Sequence, residues 1–281
     1  MRKLLSAGFM RLWRNKALYF ATVAVFALAV ITVMNGNRMA MSDVSGYSRH
    51  LENYYYDTAV YAGIFLSAFI ALFTGVEYSD GTLRNKLIVG HSRTDVYLAT
   101  LIICGSASLL LTGAWMLGGL VGIPVLGFWV IGLKGILLTA LISMLAAISL
   151  CSVFLMVSML ISNKAVSAVV CMMLSMLLIV AASTPYNALC EPEFASGMMI
   201  TADGVLQMLE PTPNPRYIGE PLRSVYSSIV NILPTGQQIL LANITSDEGI
   251  ARYLLQIVGS ILLTSCTTGV GLFLFRRKDL K

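Results

Sequence analysis

The sequence predicts an all-α integral membrane protein with six transmembrane helices and with both termini in the cytoplasm. Of its 281 residues, 57% are hydrophobic and 12% are charged, whereas about a quarter of the residues of a soluble domain are charged. The charged residues leave six stretches that can cross a bilayer, which takes about 20 apolar residues each. Basic residues flank these stretches unevenly, and this bias indicates the orientation. We therefore expect a single transmembrane domain over residues 1–281.

One long uncharged stretch, from Val96 to Leu133, decides how the spans are counted. It is too long for one helix, so the glycines in its middle are expected to form a tight turn between two spans. Gly118 and Gly122 in this region form a G-x-x-x-G pair, which would permit close packing against a second subunit. The six predicted spans cover residues 17–37, 58–76, 96–121, 134–161, 165–182 and 253–275.

Lysine and arginine residues lie mostly on one side of the predicted bundle. Thirteen of the nineteen fall on the side of the termini: Arg2, Lys3, Arg11, Arg14, Lys16, Arg84, Lys86, Arg93, Lys164, Arg276, Arg277, Lys278 and Lys281. The positive-inside rule places that side in the cytoplasm. An even number of spans agrees with two termini on the same side.

The segment before the first span, residues 1–16, has the pattern of an interfacial helix. Leu5, Phe9, Leu12 and Trp13 recur at helical spacing among basic residues, so the helix is expected to lie flat under the cytoplasmic leaflet. The alternative is a basic flank that only enforces the topology.

The largest segment outside the predicted spans covers residues 184–250. It contains seven of the eight prolines of the chain, which makes long regular helices improbable. A shorter helix is predicted from Gly236 to Ala242, with Thr235 as its N-terminal cap after Pro234. We expect a compact external cap over this segment.

The connection between the second and third spans, residues 77–95, is the most informative part of the sequence. Asp80 or Thr82 is expected to cap a short helix at its start, and Gly90 to end it in the left-handed conformation. The next helix is then expected to begin at an S-x-x-D capping box formed by Ser92 and Asp95. The segment therefore predicts a short amphipathic helix that is held between two spans and faces the cytoplasm.

This short helix suits docking into a groove of a soluble partner. Leu83 and Leu87 are the expected anchors, and basic residues would form the polar rim: Arg84, Lys86 and Arg93. Glu77 and Asp80 have no nucleophile nearby in the sequence, so we expect them to cap the helix and to pair with Arg84. No catalytic residue and no metal site is predicted.

The same segment resembles the first cytoplasmic loop of the membrane subunits of type 2 ATP-binding cassette (ABC) exporters, which reads E-x-x-x-G-T-L-R-N-K-L-x-x-G-x-S-R. The matching residues are Glu77, Gly81, Thr82, Leu83, Arg84, Asn85, Lys86, Leu87, Gly90, Ser92 and Arg93. The six spans, the interfacial helix and the larger loop before the last span also match. The resemblance implies a bacterial plasma-membrane permease that pairs with a second copy or a paralogue and sits on two ATPase subunits. Residues 77–87 would then be the coupling helix.

The sequence contains no G-x-x-x-x-G-K-[ST] phosphate loop, so this chain is not expected to be an enzyme or to carry a cofactor. ATP and Mg²⁺ would be bound by the partner subunit. The spans hold almost no ionisable residues, which disfavours a gradient-driven transporter and a membrane-embedded enzyme. We expect outward movement of an amphipathic or hydrophobic substrate such as a peptide, an antibiotic or a lipid-like molecule. The alternative is a sensor or immunity module against peptide antibiotics.

Overall fold

A computed structural model describes residues 1–42, 51–126, 132–195, 198–200, 206–208, 211–243 and 250–279. Lys281 of the basic set and parts of the predicted segment 184–250 lie outside the described residues. Within them, six helices are long and apolar enough to cross a membrane. The predicted all-α membrane fold is therefore confirmed.

The described part of the chain contains twelve α-helices and four short strands. The helices are α1 (Arg2–Trp13), α2 (Lys16–Ser42), α3 (Glu52–Tyr55), α4 (Asp57–Ser79), α5 (Thr82–Ile88), α6 (Arg93–Gly119), α7 (Ile123–Leu126), α8 (Gly132–Leu160), α9 (Lys164–Cys190), α10 (Leu222–Ile232), α11 (Pro234–Ala242) and α12 (Ile250–Arg277). A 3-10 turn, Leu120–Gly122, follows α6. The strands form two antiparallel pairs between α9 and α10, β1 (Phe194–Ala195) with β4 (Thr212–Pro213) and β2 (Met198–Ile200) with β3 (Leu206–Met208).

Helices α4, α6 and α8 form the interior of the bundle. Between 56% and 61% of their spans is buried, against 22% to 28% for α2, α9 and α12. Hydroxyl groups connect interior helices with outer ones, as between Ser152 of α8 and Thr267 of α12 at 2.7 Å. Such bonds satisfy polar groups in the bilayer interior, where lipid offers no hydrogen-bond partner. The outer helices α2, α9 and α12 therefore carry the apolar faces that remain for lipid or for a second subunit.

Gly118 lies inside α6, within the predicted third span of residues 96–121. A Cβ atom at this position would lie 2.7 Å from the carbonyl oxygen of Phe26 in α2. Gly118 therefore allows two helices of the same chain to approach closely, which corrects the predicted packing against a second subunit. Gly122 is buried in the 3-10 turn that follows α6.

The fifth predicted span ends later than the sequence suggested. Helix α9 continues past residue 182 and through Pro185 to Cys190. Proline removes one backbone donor, and a membrane helix tolerates it where other donors satisfy the nearby carbonyls. The hydroxyls of Ser183 and Thr184 both donate to the carbonyl of Val180, which neighbours the carbonyl of Ala181 that loses its donor at Pro185. The segment outside the spans therefore begins after α9 and not at residue 184.

Helices α10 and α11 form a hairpin whose second helix enters the bundle. Every residue of α11 is buried, and this helix packs against α4, α8 and α9. The amide of Gln237 donates to the carbonyls of Asn231 and Gln256, at 2.9 Å each. Its oxygen accepts from the hydroxyl of Ser260 at 2.8 Å. The predicted external cap thus includes a helix that is held inside the membrane domain by hydrogen bonds.

The predicted helix of residues 236–242 is present but starts earlier and is capped differently. It begins at Pro234, and its N-cap residue, Leu233, makes no side-chain hydrogen bond. The hydroxyl of Thr235 donates to the carbonyl of Leu178 in α9 at 2.8 Å. Thr235 therefore attaches the hairpin to α9. It is not needed as an N-cap, because Pro234 already fixes the first turn of α11.

Candidate functional site

Helix α5 occupies the predicted coupling segment and joins the ends of α4 and α6. It begins after Gly81, whose φ of 65° lies in the left-handed region that glycine adopts without steric cost. At its end, the N–H of Gly90 donates to the carbonyl of Leu87. The N–H of His91 donates to the carbonyl of Lys86, which completes a Schellman motif. Gly90 has a φ of 97°, so the predicted left-handed end is confirmed.

The helix that follows is capped as predicted, but α5 itself is not. The hydroxyl of Ser92 accepts from the N–H of Asp95 at 3.0 Å, as in a capping box. Asp80 instead ends α4 and makes no capping bond to α5, because Gly81 takes the N-cap position. Thr82 is the first residue of α5, and its hydroxyl donates to the carbonyl of Glu77 at 3.3 Å. The predicted caps Asp80 and Thr82 were therefore wrong.

Glu77 is the charged residue at the centre of this site. It lies in the last turn of α4, and 3% of its surface is exposed. Its Oε1 atom is 2.5 Å from Arg11 of α1 and 2.5 Å from Lys86 of α5. The guanidinium of Arg11 also donates to the carbonyl of Phe73 and lies 3.8 Å from the centre of its ring. A buried carboxylate requires such partners, and here they join three helices.

Arg84, the predicted partner of Glu77 and Asp80, points elsewhere. Its side chain is exposed, and among the ion pairs of the described residues neither acid pairs with it. On a helix of seven residues, positions 84 and 86 lie on opposite faces. Lys86 is the one that turns toward Glu77, so Arg84 remains available to a partner.

The two leucines that were predicted to anchor a partner pack against the chain itself. Leu83 is 2% exposed and belongs to the core, and Leu87 is partly buried against it. The apolar residues that α5 and its C-terminus expose are Ile88 and Val89, at 73% and 78%. The prediction that Leu83 and Leu87 are free to anchor a partner is therefore corrected, because both pack against the core of the chain itself.

Helix α1 packs on α6 beside the coupling segment. Leu4 and Leu12 are its buried residues, and Gly8 between them lies against Ile103 of α6 so closely that a Cβ atom would overlap it. Trp13, which the spacing placed on the apolar face, is 55% exposed. The buried face of α1 thus serves helix packing, whereas the exposed apolar residues remain for the leaflet.

The C-terminal end of α12 is bound to both ends of the coupling segment. Arg93, at the start of α6, donates to the carbonyls of Phe275 and Arg276 and of Lys278. The ammonium of Lys278 donates to the hydroxyl of Tyr78 in α4 at 3.0 Å. Burial lowers the pKa of Lys278 to about 8. The coupling segment is therefore tied to α1, α4, α6 and α12.

The sequence patterns did not indicate the roles of Arg11, Lys278 and Arg93. Arg11 could have been found, because it follows Leu4 and Gly8 at helical spacing on the buried face of α1, where a basic residue needs an acid. Lys278 contacts Tyr78, which lies 200 positions away in the sequence, so no local pattern could predict this contact. Among the described residues, no three side chains of His, Cys, Asp or Glu form a group that could hold a metal ion.

A sequence model described as ABC-2 family transporter protein matches residues 4–182 of the chain. The matched range begins in α1, includes all of α5 and ends within α9. It therefore contains Glu77 and both of its cationic partners. No curated protein matches the chain.

Proposed function

Because the chain belongs to the ABC-2 transporter family and is a permease subunit of an ABC transporter, we propose that it exports an amphipathic or hydrophobic substrate. The energy would come from ATP hydrolysed by a separate ATPase subunit, which would hold the ATP and Mg²⁺. Two permease copies, or one copy and a paralogue, would pair on two ATPase subunits in the plasma membrane of a bacterium. The observation that carries this proposal is the exposed end of α5.

The exposed end of α5 has the composition of a docking surface. Ile88 and Val89 are mostly exposed and lie between the second and third candidate spans, outside both. Exposed Arg84 lies on the same short helix, which supplies charge at the rim. Apolar anchors with a charged rim are the common arrangement of a binding hot spot. We infer that these three residues contact the ATPase.

Rigid attachment of α5 supports its role in transmitting movement. Glycines in the left-handed region fix both of its ends, at Gly81 and Gly90, and Lys86 binds it to the buried Glu77. A partner that displaces α5 would therefore displace α4 and α6, because packed helices move as rigid elements. In the proposed cycle, ATP binding pushes α5 and the interface between the two permeases opens outward.

The proposed substrate class follows from the outer faces of the bundle. Apolar side chains of α9 are exposed at the membrane level, among them Met173, Met176 and Leu177 at 56% to 66%. The span of α9 contains no acidic residue, and Lys164 lies at its end. A surface without charge that includes flexible methionines suits a greasy substrate. Paired α9 helices would therefore line a route for amphipathic or hydrophobic molecules.

The proposal is tested by Ile88→Asp and Val89→Asp, with Phe194→Asp as the matched control. Phe194 is 53% exposed in β1, on the other side of the bundle. Burying one such side chain contributes about 1.5–3 kcal/mol, so each coupling variant should reduce copurification of the ATPase about tenfold or more. Transport-linked ATPase activity should fall with it, and Phe194→Asp should change neither. Unchanged association in both coupling variants would contradict the proposal.

A further inference from the structure

A second candidate site lies on the opposite side of the bundle from α5. Helix α10, the end of α9 and the start of α12 enclose a cavity of about 660 Å³. Its charged lining residues are Arg223, Arg252 and Glu220. Arg252 is the first residue of the sixth span and Leu189 lies in the last turn of α9. The cavity therefore lies where the membrane-spanning helices end, at the level of lipid headgroups.

Arg223 supplies the first argument for a ligand. Its Nη2 atom donates to the carbonyl of Leu189 at 2.9 Å, which holds the guanidinium in place. Its Nη1 atom is buried and has no hydrogen-bond partner within the described part of the chain. A buried guanidinium nitrogen without an acceptor is costly, so Nη1 of Arg223 is a donor that an oxygen of a ligand in the cavity would satisfy. The lining fits an anion with oxygen acceptors.

The hydroxyl groups of α10 supply the second argument. Ser224, Ser227 and Ser228 line the same cavity on the polar face of this helix. Hydroxyls and a guanidinium are the donors that hold phosphate oxygens in proteins. Glu220 lines the same cavity, where it accepts the N–H of Ser224 at 3.3 Å. It forms no ion pair with Arg223 among the described contacts, so Nη1 of Arg223 is left for another acceptor.

An apolar groove adjoins this cavity. It follows the outer face of α10 along Val225, Ile229 and Ile232, which are 37% to 51% exposed. The groove and the cavity share two residues, Ser224 and Ser228. The cavity and the groove are therefore adjacent along α10. The cavity is polar and contains the guanidinium of Arg223, and the groove is apolar. This is the shape complement of a molecule with an anionic head and a hydrocarbon chain.

We propose that α10 holds an anionic phospholipid of the membrane leaflet opposite to α5. The phosphate accepts hydrogen bonds from Arg223, Ser224 and Ser227. One acyl chain lies along Val225, Ile229 and Ile232. The site goes beyond ATPase coupling and needs neither the partner subunit nor a turnover. Asn231 also lines the cavity and binds the buried amides of α11 and α12, so the lipid contacts the hairpin that enters the bundle.

The experiment is native mass spectrometry of the purified chain with three probes. Phosphatidylglycerol has both parts of the ligand, diacylglycerol with the same chains lacks the phosphate, and glycerol 3-phosphate lacks the chains. Phosphatidylglycerol should remain bound at least about tenfold more than either fragment, because each fragment lacks either the charged hydrogen bonds or the apolar burial. Equal retention of diacylglycerol would overturn the phosphate site. Equally tight binding of glycerol 3-phosphate would overturn the lipid assignment and leave a free-phosphate site.

Variants separate the two parts of the site. Arg223→Gln should reduce phosphatidylglycerol retention about tenfold, and Arg223→Lys should restore part of it. Ile229→Asn should weaken phosphatidylglycerol without changing glycerol 3-phosphate. Arg216→Gln is the matched control, because Arg216 is an exposed arginine that does not line the cavity. Since Arg223 also holds Leu189, a variant that fails to fold is recognised by size exclusion, and the three probes on the unmodified chain still decide the proposal.

Discussion

At the scale of single residues, Glu77 connects the coupling segment with the rest of the protein. One oxygen of its carboxylate contacts both Arg11 and Lys86, so three helices meet at one buried charge. Taking a carboxylate out of water costs several kcal/mol unless cations compensate it. Arg11 and Lys86 share this one oxygen, so the buried acid holds α1 and α5 to the same turn of α4.

We predict that Glu77→Gln lowers stability and uncouples ATP hydrolysis from transport. Removing one member of a buried ion pair costs about 3–5 kcal/mol, and the partial exposure of Arg11 and Lys86, at 30% and 27%, reduces the expected loss to about 1–3 kcal/mol. Thermal unfolding in detergent and transport-linked ATPase activity are the measurements. Asp80→Asn is the control, since Asp80 is exposed in the same loop. Equal melting of Glu77→Gln and the unmodified protein would contradict a stabilising role.

Local sequence patterns predicted some residues of this site correctly. Gly90 and Ser92 act within a few residues of their own position, and their glycine and serine patterns were sufficient. Arg11 meets Glu77 across 66 positions, so the helical spacing of α1 indicates that Arg11 needs an acid but not which acid it contacts. Leu83 was wrongly predicted to face a partner, because the apolar face of a short amphipathic helix can pack either on its own chain or on another protein. The sequence does not distinguish the two.

At the scale of elements, the hairpin of α10 and α11 is the feature that departs most from a regular six-span bundle. Its turn brings Gly236 of α11 so close to the backbone of Val230 that an added Cβ atom would overlap it. Backbone atoms cannot move aside as the end of a flexible side chain can. The position therefore depends on the absence of a side chain and not on a special backbone angle.

We predict that Gly236→Ala destabilises the protein, because the added carbon must displace the backbone of α10. Overpacking of this kind costs about 1–3 kcal/mol, and the melting temperature in detergent should fall. Gly219→Ala is a matched control, since a Cβ atom there meets nothing within 4 Å. If the two alanine variants melted at the same temperature, the close approach in the hairpin would not be required.

The elements differ in how well the sequence predicts them. The existence of all six spans follows from apolar length alone, but their ends depend on neighbouring helices, as Pro185 within α9 illustrates. Prolines in residues 184–250 suggested an irregular cap, yet Pro234 begins a helix at its first position, where no donor is lost. Burial of α11 results from contacts with α4, α8 and α9, which a single segment cannot reveal.

At the scale of the whole molecule, α12 connects the coupling site with the hairpin on the opposite side. Its C-terminal carbonyls accept from Arg93 beside α5. Near its other end, the carbonyl of Gln256 accepts from Gln237 of α11. A helix of 28 residues spans about 42 Å at 1.5 Å per residue. One helix therefore contacts both the segment around α5 and the hairpin, which gives the two proposed sites a direct physical connection.

The last prediction concerns the orientation of the protein in the membrane. The proposed ATPase contact at α5 requires the cytoplasmic side, and the proposed lipid site at α10 then lies on the external side. Cys190 is exposed at the end of α9, on the side of the hairpin. Cys266 is also exposed, but it lies within the span of α12, where the bilayer interior excludes a charged maleimide.

A membrane-impermeant maleimide should therefore label Cys190 in intact cells, and Cys190→Ser should abolish that labelling. In the Cys190→Ser background, Asp279→Cys near the C-terminus should be labelled only after the cells are permeabilised. Labelling of position 279 in intact cells, with Cys190 labelled only after permeabilisation, would contradict the predicted topology. It would place α5 outside the cell, where no ATPase partner could bind it.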